Sequence, residues 1–170
     1  ADLLVLRSRD LLVGTRTKLI NHVRGVLRSR GIQVAKCSTR SLEARAAEHV
    51  PDELRPALAP VLEELHSLNA KIIDYDRKIK EMAVERYPQS QLLTQVNGVG
   101  ALTALFFLLT IEDPRRFKKS RTVGAFLGLR PKRRQSGGQD PELRITKAGD
   151  RDVRRVLVQA AQYILGPFGQ

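Results

Sequence analysis

The sequence predicts a mainly α-helical protein, with long helices that pair as an antiparallel or dimeric coiled coil, followed by a small helical domain. Apolar residues recur at helical spacing in the first half, and a seven-residue repeat runs from residue 58 to residue 82. In the second half, short helical patterns alternate with glycine turns and one basic loop. We place a domain boundary near residue 88, between a connector or dimerisation region, 1–88, and a C-terminal domain, 89–170.

The first predicted helix covers residues 2–30, which lack proline, and Gly31 is a natural stop. A short helix over residues 41–49 follows. The apolar stripe of the long helix comprises Leu4, Leu11, Leu12, Leu19, Val23, Val26 and Leu27. Its opposite face is basic and comprises Arg7, Arg9, Arg16, Lys18, Arg24, Arg28 and Arg30. That basic face is interpreted equally well as a solvated surface or as a nucleic-acid-binding surface.

A second long helix is predicted to begin at Pro51 and to end by Pro88, with Pro56 and Pro60 in its first turns. Its apolar positions are separated by alternating steps of three and four residues: Leu58, Val61, Leu65, Leu68, Ile72, Tyr75, Ile79 and Met82. Such a stripe needs a partner. Either the first helix folds back to supply it, or a second chain does.

The segment after residue 90 predicts a helix-hairpin-helix, in which a Gly-Val-Gly turn leads into an apolar helix that starts at Ala101. Gly98 and Gly100 would let the turn approach a phosphate, and the first amides of the second helix would point at it. A tight turn that serves packing alone is the alternative interpretation.

Three further elements follow, separated by turns. Asp113 and Pro114 predict the start of a short helix through Phe117, and Ser120 is predicted to cap a helix that ends at Gly128. Residues 130–142 predict a basic, mobile loop. Asp150 precedes a final amphipathic helix, Arg151 to Leu165, with predicted buried residues Val153, Val156, Leu157, Ala160 and Ile164.

The charge points to nucleic acid as the first partner to consider. The chain has 170 residues and a net charge of +12, and residues 113–170 alone contain 14 Lys and Arg against five Asp and Glu. A membrane role is disfavoured, because the longest apolar run, 101–111, is about half of the ~20 residues that a spanning helix needs. With one cysteine, Cys37, and scattered histidines, we expect a cytoplasmic location and neither a metal nor a cofactor in this part.

Ser136 lies between three cations, Lys132-Arg133-Arg134, and two glycines. Nearby cations would favour an alkoxide and neutralise the charge that develops on a phosphorus under attack. The sequence offers no Ser-His-Asp arrangement, however, and Ser-Gly-Gly is also ordinary linker chemistry. The residues alone therefore leave both interpretations open.

Several motifs, taken together and in order, resemble the C-terminal domain of the IS110 family of insertion-sequence transposases. They are the run that starts at Asn97-Gly-Val-Gly, the run from Asp113-Pro to Gly-Leu at residue 129, Pro131, Gln135-Ser-Gly and Ile145-Thr-Lys-Ala-Gly-Asp. The resemblance covers about residues 89–168, and residues 1–87 resemble the coiled-coil connector that precedes this domain in the family.

The resemblance implies a recombinase whose serine attacks a phosphodiester of DNA and is transiently joined to it, with a guide RNA that selects the sites. The serine of the family motif falls on Ser136. Together with the local charge, this predicts a phosphate pocket and DNA-binding surface built from Lys132, Arg133, Arg134, Lys147, Arg151 and Arg154.

Family members also begin with a RuvC-like domain whose four acidic residues bind metal, so Mg²⁺ is expected only in such an upstream domain. This chain lacks those acidic residues, and we expect a fragment or a decayed copy that binds nucleic acid without complete catalysis. Homo-oligomerisation through the coiled coil is also expected. The competing hypothesis is a non-catalytic nucleic-acid-binding and dimerisation module, in which Ser136 is an ordinary loop residue.

Overall fold

The computed structural model describes residues 1–138 and 141–166 and confirms a mainly helical protein. No strand occurs within the described residues, although Pro131 and Ile145 form an isolated antiparallel bridge. The chain divides into two compact units, the first Leu4–Lys78 and the second Ala1–Leu3 together with Ile79 onward. The helices are α1 (Asp2–Ser29), α2 (Leu42–Ala47), α3 (Arg55–Glu85), α4 (Ser90–Thr94), α5 (Ala101–Ile111), α6 (Ser120–Phe126) and α7 (Arg151–Leu165), with 3₁₀ turns at Asp52–Leu54 and Pro114–Arg116.

Helix α1 ends as predicted at Gly31, which adopts a φ of +76°. The Gly31 N–H donates to the Arg28 carbonyl and the Ile32 N–H donates to the Leu27 carbonyl, both at 3.0 Å. This pair of bonds is a Schellman motif, which satisfies carbonyls that the end of the helix leaves without partners. Helix α3 begins at Arg55 rather than at Pro51, because residues 52–54 form the 3₁₀ turn first.

Within the first unit, α1 and α3 lie side by side and antiparallel. Arg9 donates to Asp76 at 2.9 Å and Arg16 donates to Asn69 at 3.2 Å. The later residue of α1 thus pairs with the earlier residue of α3, as antiparallel helices require. The chain therefore supplies its own partner for this part of α3. The buried core of the unit comprises Ile20, Val23, Leu27, Leu42, Ala46, Val50, Leu58, Leu62 and Leu65.

The predicted repeat of α3 is buried at six of its eight positions, and Val61 and Tyr75 are half-buried. The repeat of α1 was partly wrong. Leu4 and Leu11 are 63% and 71% exposed, whereas Leu6 and Ile20, which were not in the predicted stripe, are buried.

The error has a clear physical cause, since the inward face of α1 contains arginines as well as apolar residues. Arg9 and Arg16 are seven residues apart, as are their partners Asn69 and Asp76 on α3, so the two pairs lie at equivalent positions beside the apolar repeat, where the two helices meet. A count of apolar residues placed these two arginines on the outer, basic face. Polar pairs at such positions specify which residues of two helices lie opposite each other.

The second unit packs α5 and α7 around a small apolar core, in which Phe106 is completely buried. Helix α7 begins as predicted at Arg151, directly after Asp150, whose carboxylate caps the helix by accepting from the N–H groups of Asp152 and Val153 at 2.8 and 3.0 Å. Its predicted inward residues are buried or half-buried except one. Ile164, which was predicted to be buried, is 46% exposed.

Candidate nucleic-acid interface and serine hairpin

The two glycines of the turn before α5 have different surroundings. Gly98 adopts a φ of +81°, and a Cβ added there would lie 2.8 Å from the Ala160 carbonyl oxygen and 2.9 Å from Cβ of Tyr163. Gly98 therefore allows the turn to pack against α7, which was the alternative interpretation of this turn. Gly100 is exposed, immediately precedes α5, and has nothing within 4 Å of its added Cβ. Of the two, Gly100 has the open approach that phosphate binding requires.

The segment after α5 contains a cluster that was not predicted from the sequence. Asp113 caps the 3₁₀ turn as predicted and accepts from the Arg115 N–H at 2.9 Å. The Arg116 guanidinium then lies 5.1 Å from the centre of the Phe117 ring and 4.6 Å from that of Phe126. The two rings meet edge to face, 5.4 Å apart. This cation–π cluster joins the turn to α6. The contact could not be predicted from the sequence, because the two phenylalanines are nine residues apart and nothing in the pattern relates them.

Helix α6 ends at the predicted glycine but does not begin with the predicted cap. Ser120 lies inside the helix, and no side chain caps it. At the other end, Gly128 donates to the Ala125 carbonyl and Leu129 donates to the Gly124 carbonyl, which is a second Schellman motif. With a φ of +68°, Gly128 directs the chain away from α6.

The chain leaves at Gly128 and returns at Gly149, and we call this excursion the serine hairpin. Three backbone hydrogen bonds form its stem: Lys147 N–H to Gly128 carbonyl, Thr146 N–H to Arg130 carbonyl, and Lys132 N–H to Arg144 carbonyl, at 3.0, 2.8 and 3.0 Å. Residues 139 and 140 of the predicted basic loop lie outside the described residues.

The base of the hairpin is packed backbone against backbone. A Cβ added at Gly128 would overlap the Ala148 carbonyl oxygen at 2.0 Å, and one added at Gly149 would overlap the Phe126 carbonyl oxygen at 2.1 Å. Both glycines also have positive φ angles. No other residue type fits this approach without a shift of the backbone.

Arg154 of α7 binds the backbone at the base of the hairpin. Its Nη1 donates to the carbonyls of Ala148, Leu127 and Asp150 at 2.7, 2.9 and 3.4 Å. This arginine was predicted from the sequence to bind phosphate. In the structure its Nη1 holds the ends of the hairpin, so at least part of its charge is used within the fold.

The nucleophile candidate lies beyond the stem. Ser136 is exposed and lies four residues after Lys132 of the stem, and Lys132, Arg133 and Arg134 on the approach to it are exposed as well. Lys147 is also exposed and adopts a φ of +59°, while its N–H is bound in the stem. The fold thus gathers Lys147 and Arg154 at the base of the hairpin and carries Ser136 with three cations towards its tip.

Two structural features are absent from the described part of the chain. Among residues 1–138 and 141–166, no group of three or more His, Cys, Asp and Glu side chains is arranged to hold a metal ion. No helix of the described chain combines the length and the apolar character needed to cross a membrane.

The part of the second unit that contains the glycine turn and the serine hairpin matches a known family. Residues 90–167 match the model described as the transposase IS116/IS110/IS902 family. The resemblance drawn from the motifs is thereby confirmed, and the chain belongs to this family of transposases.

Two relatives extend the match to most of the chain. The transposase for insertion sequence element IS1111A of Coxiella burnetii is 32% identical over 95% of this chain and 46% of that protein. The transposase for insertion sequence element IS1328 of Yersinia enterocolitica is 32% identical over 92% of this chain and 47% of that protein. The chain spans about half the length of the curated relatives that it matches. No solved structure matches it.

Proposed function

We propose that this chain is the part of an IS110-type transposase that binds DNA and supplies the nucleophile, the hydroxyl of Ser136. One observation carries the proposal. The serine that the family motif singles out stands exposed beyond a hydrogen-bonded stem, on a segment with three exposed cations and in a helical domain whose own core it does not help to build. A hydroxyl in that position is accessible to a DNA backbone.

In the proposed reaction Oγ of Ser136 attacks a DNA phosphorus. An O–P bond to the serine forms, the P–O bond to one deoxyribose breaks, the serine proton leaves, and the released deoxyribose oxygen gains a proton. Attack of a deoxyribose hydroxyl on the serine ester then reverses these changes and joins DNA to a new end. Because the phosphodiester bond energy is kept in the ester, joining needs no separate energy source.

The exposed cations would neutralise the charge that builds up on the phosphoryl oxygens. We assign this role to Lys132, Arg133 and Arg134 near the tip and to Lys147 and Arg151 near the base. Arg154 becomes a positioning residue, since its Nη1 holds the backbone from which the hairpin starts. Gly100 and the first amides of α5 remain a candidate phosphate contact.

Three further parts of the proposal follow from the resemblance and concern the whole protein. We propose that an upstream RuvC-like domain supplies Mg²⁺, that a guide RNA selects the DNA, and that chains associate through the helix pair. The roles assigned to this chain are those of its own serine and cations.

The experiment uses a full-length family protein that contains this chain. Ser136→Ala should abolish a covalent protein–DNA adduct and leave DNA affinity almost unchanged, because one neutral hydroxyl adds little to a charge-driven complex. Ser120→Ala, at another exposed serine, is the matched control and should retain the adduct. If the Ser136 variant still forms the adduct or recombines DNA, the nucleophile lies elsewhere and the non-catalytic module is the better hypothesis.

A further inference from the structure

A basic recess lies in the first unit, at the end of α1 and far along the chain from the serine hairpin. Its volume is about 390 Å³, and it is lined by Arg24, Arg28, Ile32, Gln33, Val34 and Lys36. Half of these residues are cations, and no residue of the proposed catalytic hairpin takes part. The basic face of α1 thus has one place where its charges surround a recess.

The walls of this recess are held in place by the fold. Arg28 belongs to the last turn of α1, and its carbonyl accepts the Gly31 N–H that closes the helix. On the far side of the turn, Ile32 and Val34 pack against the buried core of the helix pair. The recess is therefore a built feature of the first unit.

The charged residues that line the recess are all cations. Within the parts of the chain that the structure describes, Arg24, Arg28 and Lys36 form no ion pair. Arg24 and Arg28 are also one helical turn apart, a spacing at which like charges destabilise a helix. By contrast, Arg9 of the same helix is paired with Asp76. Charges that repel each other around a recess are stabilised by an anion inside it.

We infer that this recess binds a backbone phosphodiester of a nucleic acid, at a site separate from the serine hairpin. The inference rests on the proposed function, since it assumes that the chain binds nucleic acid. Two guanidinium groups and an ammonium group suit a phosphate, and arginine can donate two parallel bonds to its oxygens. A volume of about 390 Å³ exceeds a single phosphate and leaves room for the adjoining sugar.

A single seated phosphate makes a distinctive prediction for salt dependence. For duplex DNA, the slope of log affinity against log salt changes by about 0.9 for each phosphate that is neutralised. Loss of the site should therefore reduce the slope by about 0.9, which lessens the fall in affinity between 50 and 200 mM salt by about 3-fold. Three independent surface contacts would instead change the slope by about 2.7.

The test measures binding of the 170-residue chain to duplex DNA and, separately, to a hairpin RNA over a range of salt. The variants are Arg24→Gln, Arg28→Gln and Lys36→Gln, each alone and all three together. Each single change should already remove most of the effect, and the triple variant should lose less affinity than the product of the single losses. Whichever nucleic acid shows the reduced slope is the one that occupies the site.

The matched control removes the same charge elsewhere in the first unit, with Lys18→Gln, Arg45→Gln and Lys71→Gln, all at exposed positions outside the recess. In thermal unfolding, the triple variant of the recess should be at least as stable as the unmodified chain, because like charges have been removed. Equal effects of the two triple variants, or single losses that simply multiply, would overturn the inference and leave the proposed function standing. A chain that binds neither nucleic acid at low salt would overturn both.

Discussion

The helix pair of the first unit and the serine hairpin of the second are held by different kinds of contact. In the helix pair, large aliphatic side chains such as Leu27, Leu58 and Leu65 are almost completely buried. In the hairpin, side chains from Lys132 to Ser136 are exposed, and the structure depends on backbone hydrogen bonds and on glycines that touch backbone. Burial of apolar area stabilises the first region, whereas exact backbone fit stabilises the second.

The difference teaches how each region tolerates change. A helix pair loses stability when buried apolar volume is removed or replaced by charge. Substitutions at its exposed positions change the stability little. A hairpin with an exposed tip can present charges and a hydroxyl to a partner without unfolding, provided that its base is kept. The following variants test this comparison.

The largest effect is expected from charge in the core of the helix pair. Changing Leu65, Leu68 and Ile72 to Asp places three charges at positions that are at most 2% exposed. The cost should exceed the roughly 5–15 kcal/mol that stabilises a typical domain, so the pair should unfold. Circular dichroism would show a large loss of helix.

The matched control changes Leu4, Leu11 and Ile73 to Asp, since these three apolar residues of the same two helices are between 47% and 71% exposed. Helicity should be retained there. If both triple variants keep the same helicity and the same sedimentation, the assignment of the buried faces is wrong.

The next largest effect is expected at the base of the hairpin. Gly128→Ala forces a Cβ against the Ala148 carbonyl oxygen and a left-handed φ on an alanine, and together these should cost about 3–5 kcal/mol. Denaturant unfolding measures the change. Gly138→Ala has nothing within 4 Å of its added Cβ and should change the stability by less than about 0.5 kcal/mol; similar losses at both glycines would contradict the packed base.

A smaller effect distinguishes two arginines of α7. Arg154→Gln should lower the free energy of unfolding by about 1–3 kcal/mol, because Nη1 no longer serves the Leu127 and Ala148 carbonyls. Arg151→Gln, at an exposed position, should leave stability almost unchanged and weaken DNA binding, with a smaller salt slope. The reverse pattern would return Arg154 to the role that the sequence suggested.

The smallest effect concerns pH. The Tyr87 hydroxyl donates to Asp2 at 2.6 Å and the Arg86 guanidinium lies against the same carboxylate, which together hold the pKa of Asp2 below its ordinary value of 3.8. A carboxyl with a lowered pKa stabilises the fold fully above that ordinary value, and the contribution is lost as the pH falls through the lowered pKa.

Thermal unfolding below pH 4 should therefore show a decline in stability that Asp2→Asn reduces. Asp113, whose pKa is lowered by its bonds to Arg115, is the comparison. Because it is an exposed cap, Asp113→Asn should alter the same decline less. An unchanged decline in the Asp2 variant would show that other carboxyls cause it.

The sequence by itself determined the helices and several of their ends. The repeat of α3, the glycine stops at Gly31 and Gly128, and the cap at Asp113 were all predicted, because hydrophobic period and capping chemistry are local properties of the chain. Motif order also identified the family and named Ser136. None of these depends on which residues meet across the fold.

Only the tertiary structure decided which residues make their contacts within the protein and which remain available to a partner. Arg9 and Arg16 turn towards α3, Gly98 accommodates α7, and Arg154 holds the hairpin. A sequence pattern shows that a residue is charged or is a glycine. The groups that contact this residue, however, belong to positions tens of residues away. The distinction between a cation that binds a partner and one that supports the fold therefore exists only once those distant backbone and side-chain atoms are brought within hydrogen-bond distance.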